Sequence, residues 1–533
     1  MLRTRKSLAA LAVLATLSVP AGAANFRWAF QSDAITMDPY NINETMTLGF
    51  LGNIYEGLIR RNAAFEVEPA LATEWSTPEP TKWVFKLRKG VKFHNGNAFT
   101  ADDVVFSYQR ASQKTSDVAP FVSGIKAINK VDDHTVEVIT DGPRPILLNE
   151  IGLWYILDKE WAEANNATAV GAISKGEQNF ATVNANGTGP FRLKLREPDV
   201  QTVLERNPDY WGTIKSNVTE AKFTPIKSGA TRVASLLSGE LDMMDPVPLQ
   251  DVERINAKGG LKVIQNPEVR TIFLGMDLAS DELKYSDVKG KNPFKDVRVR
   301  KAFYQAIDMN GIAQKVMRGA AKPTALMVGA GISGFNEALN ERFAFDPEAS
   351  KKLLAEAGYP NGFGVTFDCP NDRYVNDEPI CQAVTAMLAR VGIKATLNAQ
   401  TKAKHFEKLT AKDSSFFLLG WTPGSLDMHN TFFYNVACPA GLVAPGKKAG
   451  SGQASWNVGS YCNHKVDELL EQIAVEVDPA KRQKLMDQAM QIHKDDVGHL
   501  PLHQQALAWG VKDSVDLVQN PDNTFTLRFV VVK

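Results

Sequence analysis

Four cysteines, Cys369, Cys381, Cys438 and Cys462, are the residues of this chain best suited to covalent chemistry. An even count suits a disulfide framework once a chain leaves the reducing cytosol. Three connectivities are open. Pairing Cys369 with Cys381 and Cys438 with Cys462 closes the two shortest loops and is the expected one. Catalytic patterns are weaker. Neither G-x-S-x-G nor H-E-x-x-H occurs. His499 and His503 are four apart, but Pro501 between them breaks the helix that would place both on one face, so no metal site is expected. Residues 441–447 fit G-x-x-x-x-G-K, yet Lys448 stands where a phosphate loop needs Ser or Thr, and no strand pattern precedes it. Paired carboxylates of the glycosidase type have no fixed spacing, so motifs do not address them.

The elements that must carry these residues begin with an export segment. Arg3, Arg5 and Lys6 precede an apolar run over 8–19, and residues 20–23 (Pro-Ala-Gly-Ala) fit a signal peptidase site, so residues 1–23 read as a signal peptide cleaved after Ala23. Spanning a bilayer takes roughly 20 apolar residues. This run is shorter, so no stable membrane insertion is expected, and the mature chain is placed in the periplasm. Residues 1–23 hold three basic and no acidic side chains, which turns 60 against 60 into 57 basic against 60 acidic. Such balance gives no long-range field for nucleic acid or anionic lipid. With 44% hydrophobic residues the chain can bury a large core, and cores of this size split into domains.

Residues 83–88 alternate like a half-buried strand, residues 91–94 read as a second strand, and Asn95-Gly96 as a turn. Thr100 followed by Asp103 and an apolar run is a capping-box helix start. Residues 296–307 form a broad apolar helical face that includes Val297, Val299 and Phe303. Asp346-Pro347 opens a helix that Gly358 ends. A helix over 379–390, a stop at Gly392 and a strand over 393–397 follow. Alternation of this kind argues for an α/β or α+β protein, its sheets covered by helices.

Several segments recur in a known family and in its order: Pro69-Ala70-Leu71-Ala72-Thr73-Glu74-Trp75, the stretch 83–96, 100–107, Gly187-Thr188-Gly189-Pro190-Phe191, 207–211, Ser238-Gly239-Glu240-Leu241-Asp242, 296–302 and 356–360. On these the chain resembles the dipeptide, oligopeptide and nickel class of bacterial extracellular solute-binding proteins. Most of these residues are scaffold by type, since Trp, Phe and Gly at strands and turns serve packing and backbone geometry. The resemblance implies an α/β, two-lobed periplasmic-binding-protein fold with a hinge and a central ligand cleft. It places the first lobe at 24–272 plus 501–533 and the second at 273–500. It implies a monomer without cofactor, metal or catalysis, whose partners are a small-molecule or short-peptide ligand and the permease subunits of an ABC importer.

The resemblance also names a site. Peptide-binding members hold the ligand ammonium with an Asp three residues after Gly-Trp; here Gly420-Trp421 is followed at that place by Gly424, and the next acid is Asp427. Trp421 is expected as an aromatic wall, and Arg373 as the fork for a ligand carboxylate. Gln31, Ser32 and Asp33 correspond to a cleft-lining segment, and Trp456 and Asn457 lie in the loop that the second cysteine pair encloses. Keeping Arg373 while lacking the acid at 424 shifts weight toward glutathione-like or other modified peptides. An opine, sugar or metal-chelate receptor is the second reading, and a secreted hydrolase the third.

Overall fold

The computed structural model describes residues 22–173, 176–450 and 452–533, so nearly all of the expected export segment lies outside the described residues. The main sheet is built from β1 (Ala24–Phe30), β2 (Phe191–Glu197), β3 (Gln201–Arg206), β4 (Val218–Pro225), β5 (Met243–Asp245), β6 (Leu261–Met276), β7 (Gly364–Pro370), β8 (Lys394–Gln400), β9 (Phe416–Trp421) and β10 (Leu500–Lys512). Their spatial order is β8-β7-β9-β6-β10-β5-β1-β4-β3-β2, with the short strand Ala321–Pro323 paired to β10. β1 runs parallel to β4 and β5, and β7 parallel to β8 and β9, whereas β6 and β10 are antiparallel.

β6 and β10 are long enough to serve both lobes. The first half of β6 pairs residue by residue with the second half of β10, from Leu261↔Lys512 to Pro267↔Ala506. The register then shifts, and from Thr271 onward β6 lies between β9 and the start of β10. A bulge bends a strand and re-aims its side chains, and this one places Glu268, Val269 and Arg270 at the crossing between the lobes.

Three large apolar cores follow from strand periodicity among the described residues. In β1, Phe26 and Trp28 enter the first-lobe core, while Ala29 faces the core behind the sheet. In β9, Phe416 and Leu418 face that same rear core, whereas Phe417 and Leu419 face a third core under the helices Met428–Asn435, His464–Val475 and Pro479–Asp495. A strand covered on both faces reads as an unbroken apolar run, as Phe416 to Leu419 does. A separate antiparallel sheet, in the order Ala72–Glu79, Lys82–Leu87, Thr135–Thr140, Ile125–Asp132, builds onto the first lobe.

The capping box is present: Thr100 and Asp103 exchange side-chain and backbone bonds at the start of helix Ala101–Ala111. Helices Val297–Ala306, Pro347–Glu356 and Asp377–Ala389 stand where expected, and Gly392, at φ 91°, turns the chain into β8. Two expectations need correction. Residues 91–94 form no strand; only Lys92 bridges Ala98, across the turn at Gly96. Val91 and Phe93 are apolar because they plug the first-lobe core, not because they pair in a sheet. Val297, expected on the buried face of its helix, is 42% exposed, since it occupies the first position of a helix whose packing begins at Val299.

Both expected disulfides are formed, Cys369–Cys381 with Cα atoms 6.5 Å apart and Cys438–Cys462 at 4.4 Å. Closing loops of 12 and 24 residues restricts the unfolded chain by about 3 kcal/mol each. Nonreducing peptide mapping should recover these two links alone. Replacing either pair by serines should lower the unfolding free energy in urea by about 2–4 kcal/mol; an unchanged midpoint would mean that the loop is held without its bridge.

Candidate functional site

Open α/β sheets bind ligands beyond the carboxyl ends of their strands, and here the ends of β1, β5, β7 and β9 lie beside the bulge of β6. On the second-lobe side, β7 runs into the loop that carries Arg373. The loop is fixed twice: Cys369 is bridged to Cys381, and the Asp377 carboxylate accepts the backbone N–H groups of Arg373 (2.9 Å) and Tyr374 (3.0 Å). The Tyr374 hydroxyl accepts the Gly420 N–H at 2.9 Å. A side chain at 420 would collide with that ring, since a Cβ there would lie 2.8 Å from Tyr374 Cε1.

The Arg373 side chain is exposed, 5.1 Å from the Tyr374 ring, and its guanidinium has no hydrogen bond or ion pair among the described residues. The surrounding protein desolvates it and Arg270 repels it, both of which hold its pKa below the ordinary guanidinium value; Glu44 of the first lobe acts the other way. Arg270, from the bulge, flanks the same ring at 6.0 Å, and its Nε donates to Glu268 at 3.1 Å. Two guanidinium groups thus converge on one tyrosine at the mouth between the lobes, an arrangement suited to an anion.

Trp421 closes β9. Its indole N–H donates to Asn430 at 3.1 Å, and its ring packs 5.7 Å from Tyr434 and 5.9 Å from Trp456, which in turn meets Phe406. Trp421, Tyr434 and Trp456 are half-buried. The Tyr434 phenol is desolvated and feels Glu150 and Arg144, a bidentate pair (2.7 and 2.9 Å) of the first lobe. These aromatic rings form a wall that faces the other lobe.

Other expected contacts go elsewhere. Asp427 is fully buried; it caps the helix Met428–Asn435 and binds Arg482 through both oxygens at 2.6 and 2.9 Å. With its charge already matched, it does not replace the missing acid at 424. Asp33 is corrected likewise: it pairs with Arg196 at 2.8 Å and accepts the N–H of Asp199 and of Ala34. Asn457 is buried and ties Ala437 O, Tyr461 O and Tyr461 N together, so its amide is spent on the loop. Gln31, Ser32 and Gly424 are exposed. His499 bonds His493 at 2.9 Å in the interior, where burial lowers the pKa of both. Lys447 of the G-x-x-x-x-G-K match pairs with surface Glu471.

Arg270 and Asp245 were not singled out in the sequence. The signal for Arg270 was the Glu268-Val269-Arg270 alternation just ahead of the apolar run Ile272-Phe273-Leu274; for Asp245 it was an acid directly after the apolar pair Met243-Met244 and before Pro246. Asp245 is 7% exposed, and its Oδ1 is buried without a hydrogen-bond partner among the described residues. Burial pushes this carboxyl up to about 8; Arg232 opposes the shift and Glu268 adds to it.

Residues 66–441 match the family described as bacterial extracellular solute-binding proteins, family 5. The dipeptide-binding protein of Escherichia coli K12 is 26% identical over 455 residues, covering 81% of this chain and 79% of that one. The glutathione-binding protein GsiB of the same strain is 24% identical over 487 residues, covering 88% and 87%. Among solved structures, the periplasmic binding protein DppA of Helicobacter pylori in complex with the peptide STSA superposes with a TM-score of 0.78 at 24% identity, covering 96% of this chain and 99% of that one.

Two outcomes follow from the paired and unpaired charges. Arg482→Ala strands the buried Asp427 and should cost about 3–5 kcal/mol of stability, read by urea unfolding; a stable variant with weakened ligand binding would instead return Asp427 to the site. Asp245 has the opposite sign. Its folded pKa of about 8 exceeds the ordinary 3.8, so its contribution is full below 3.8 and is lost as pH rises toward 8. Melting of the ligand-free protein between about pH 5 and about pH 8 should therefore fall less for Asp245→Asn than for the wild type; parallel curves would mean that the carboxyl is ionised throughout.

Proposed function

The chain belongs to family 5 of the bacterial extracellular solute-binding proteins, the substrate-binding components of ABC importers, and we propose that it captures a peptide or peptide-like solute by its carboxylate. The observation that carries this reading is Arg373: an unpaired guanidinium on a doubly fixed loop, beside Arg270 and in front of an aromatic wall. A planar fork binds a carboxylate through two parallel bonds, and a site held rigid in advance loses little entropy on binding. The relatives named for dipeptide and glutathione, and the neighbour solved with a peptide, support the ligand class.

In this reading residues 24–272 with 501–533 form one lobe and 273–500 the other, and they close about the bulged crossing of β6 and β10. Closure brings Glu44, Arg144 and Glu150 toward Arg373 and Tyr434, excludes water and strengthens each polar contact. The loop bridged by Cys438 and Cys462 brings Trp456 against Trp421, where the rings pack on the ligand's side chains or peptide planes. Among the described residues no helix is long and apolar enough to cross a membrane; the export segment read in residues 1–23, cleaved behind Ala23, would release the chain into the periplasm. The protein acts as a monomer, binds without turnover and hands its ligand to the permease.

Isothermal titration with the dipeptide Met-Leu and with its C-terminal amide tests the carboxylate role. Arg373→Ala should weaken Met-Leu binding by roughly 30-fold or more, the scale of truncating one partner of a buried ion pair, and should abolish the preference for the free acid over the amide. A loss below about threefold, the scale of an exposed charge, would remove Arg373 from the site.

A further inference from the structure

A zwitterionic ligand held by its carboxylate still has a cation to place, and neither position expected to supply its counter-charge does so: position 424 is an exposed Gly, and Asp427 is bound to Arg482. The first lobe has a candidate acid. Where β1 and β5 end side by side, Phe30 opposite Asp245, a small cavity opens that is lined by Asp245, Trp28, Phe30, Phe50, Asn523 and Phe525. Its volume of about 30 Å³ accommodates a group the size of one or two water molecules, which is the size of an ammonium head and far below that of a whole solute.

We propose that this aromatic pocket is a cation subsite, in which the Asp245 carboxylate and the surrounding ring faces take the protonated amine of the ligand. Three features converge. Asp245 is more than nine-tenths buried, and its Oδ1 has no partner among the described residues; buried polar atoms are otherwise almost always satisfied, so an orphaned one calls for an explanation. The neighbouring cation, Arg232, spends its guanidinium on the carbonyls of Ile226, Lys227 and Pro246 instead of on Asp245. The other walls include the rings of Trp28, Phe30, Phe50 and Phe525, which attract a desolvated cation, beside the Asn523 amide, whose oxygen accepts the Trp509 indole N–H. Glu268 lies within electrostatic reach of both Asp245 and Arg373, so the acidic and basic ends of the site meet at the bulge of β6. The assignment deepens the carboxylate reading by adding the opposite pole: the solute carries a primary amine as well as an acid.

Methylammonium chloride tests the subsite without any assumption about the rest of the ligand. Because so small a probe binds in the millimolar range at best, the melting temperature is followed up to about 200 mM against equal sodium chloride and tetramethylammonium chloride. The wild type should be stabilised by methylammonium alone, tetramethylammonium being too large for the cavity, and Asp245→Asn should lose the effect while remaining folded. Equal responses of the wild type to all three salts, or a response that survives in Asp245→Asn, overturns the subsite. The wild-type size selectivity decides the matter even if the variant does not fold. A parallel titration compares Met-Leu with N-acetyl-Met-Leu. Acetylation should cost roughly tenfold or more in the wild type and little in Asp245→Asn. Methylammonium selectivity without Met-Leu binding would sink the peptide reading and leave the cation pocket standing; Met-Leu binding that acetylation leaves unchanged would do the reverse.

Discussion

Glu268 sits inside the bulge of β6, where its carboxylate accepts Gln505 Nε2 at 2.6 Å on one side and Arg270 Nε at 3.1 Å on the other. Its backbone carbonyl takes the Gln504 amide at 3.1 Å, and the same amide bonds Ala330 O, while Gln505 Oε1 accepts the Val375 N–H of the Arg373 loop. One buried acid thereby connects the crossing strands β6 and β10, the loop that carries the candidate anion site, and the second guanidinium of that site. A bulge in a buried sheet leaves backbone groups without ladder partners, and an unpaired buried polar group is costly. The Gln504 amide supplies a partner for the Glu268 carbonyl at the first of the two register shifts between these strands, and a second shift falls between Ile272 and Phe273.

Around this crossing the charged residues divide into two kinds. Asp427 with Arg482 and Asp33 with Arg196 are matched pairs that fix a helix start and a strand end. Arg373, exposed on its loop, and Asp245, buried, have no such partner among the described residues. Ionising the buried, unpaired Asp245 carboxyl destabilises the empty protein, and a ligand cation placed against it would recover that cost on binding.

What could be read in advance was what is set locally. The capping box of Thr100 and Asp103, the Pro-led helix after Asp346 and the Gly392 stop depend on residues three or four apart, and they stand as expected. The short-loop disulfides did too, because proximity in sequence brings their cysteines together. Residues 91–94 misled because apolar alternation does not distinguish a strand from a turn whose side chains plug a core. Asp427 misled because its partner, Arg482, is 55 residues away, and no local pattern reveals that an acid is already neutralised. Arg270 and Asp245 became candidates only once the bulge and the neighbouring strand ends were in place. Their role depends on which charges lack partners, a property of the assembled fold.

The proposed ligand carries both poles, a carboxylate for Arg373 and a protonated amine for Asp245. The most direct test is native mass spectrometry of the protein recovered from the exported fraction, followed by release and fragmentation of whatever small molecule accompanies it. The account predicts a zwitterion, peptide-like, with a free amine and a free acid. A neutral sugar, or an anion without any amine, would contradict it.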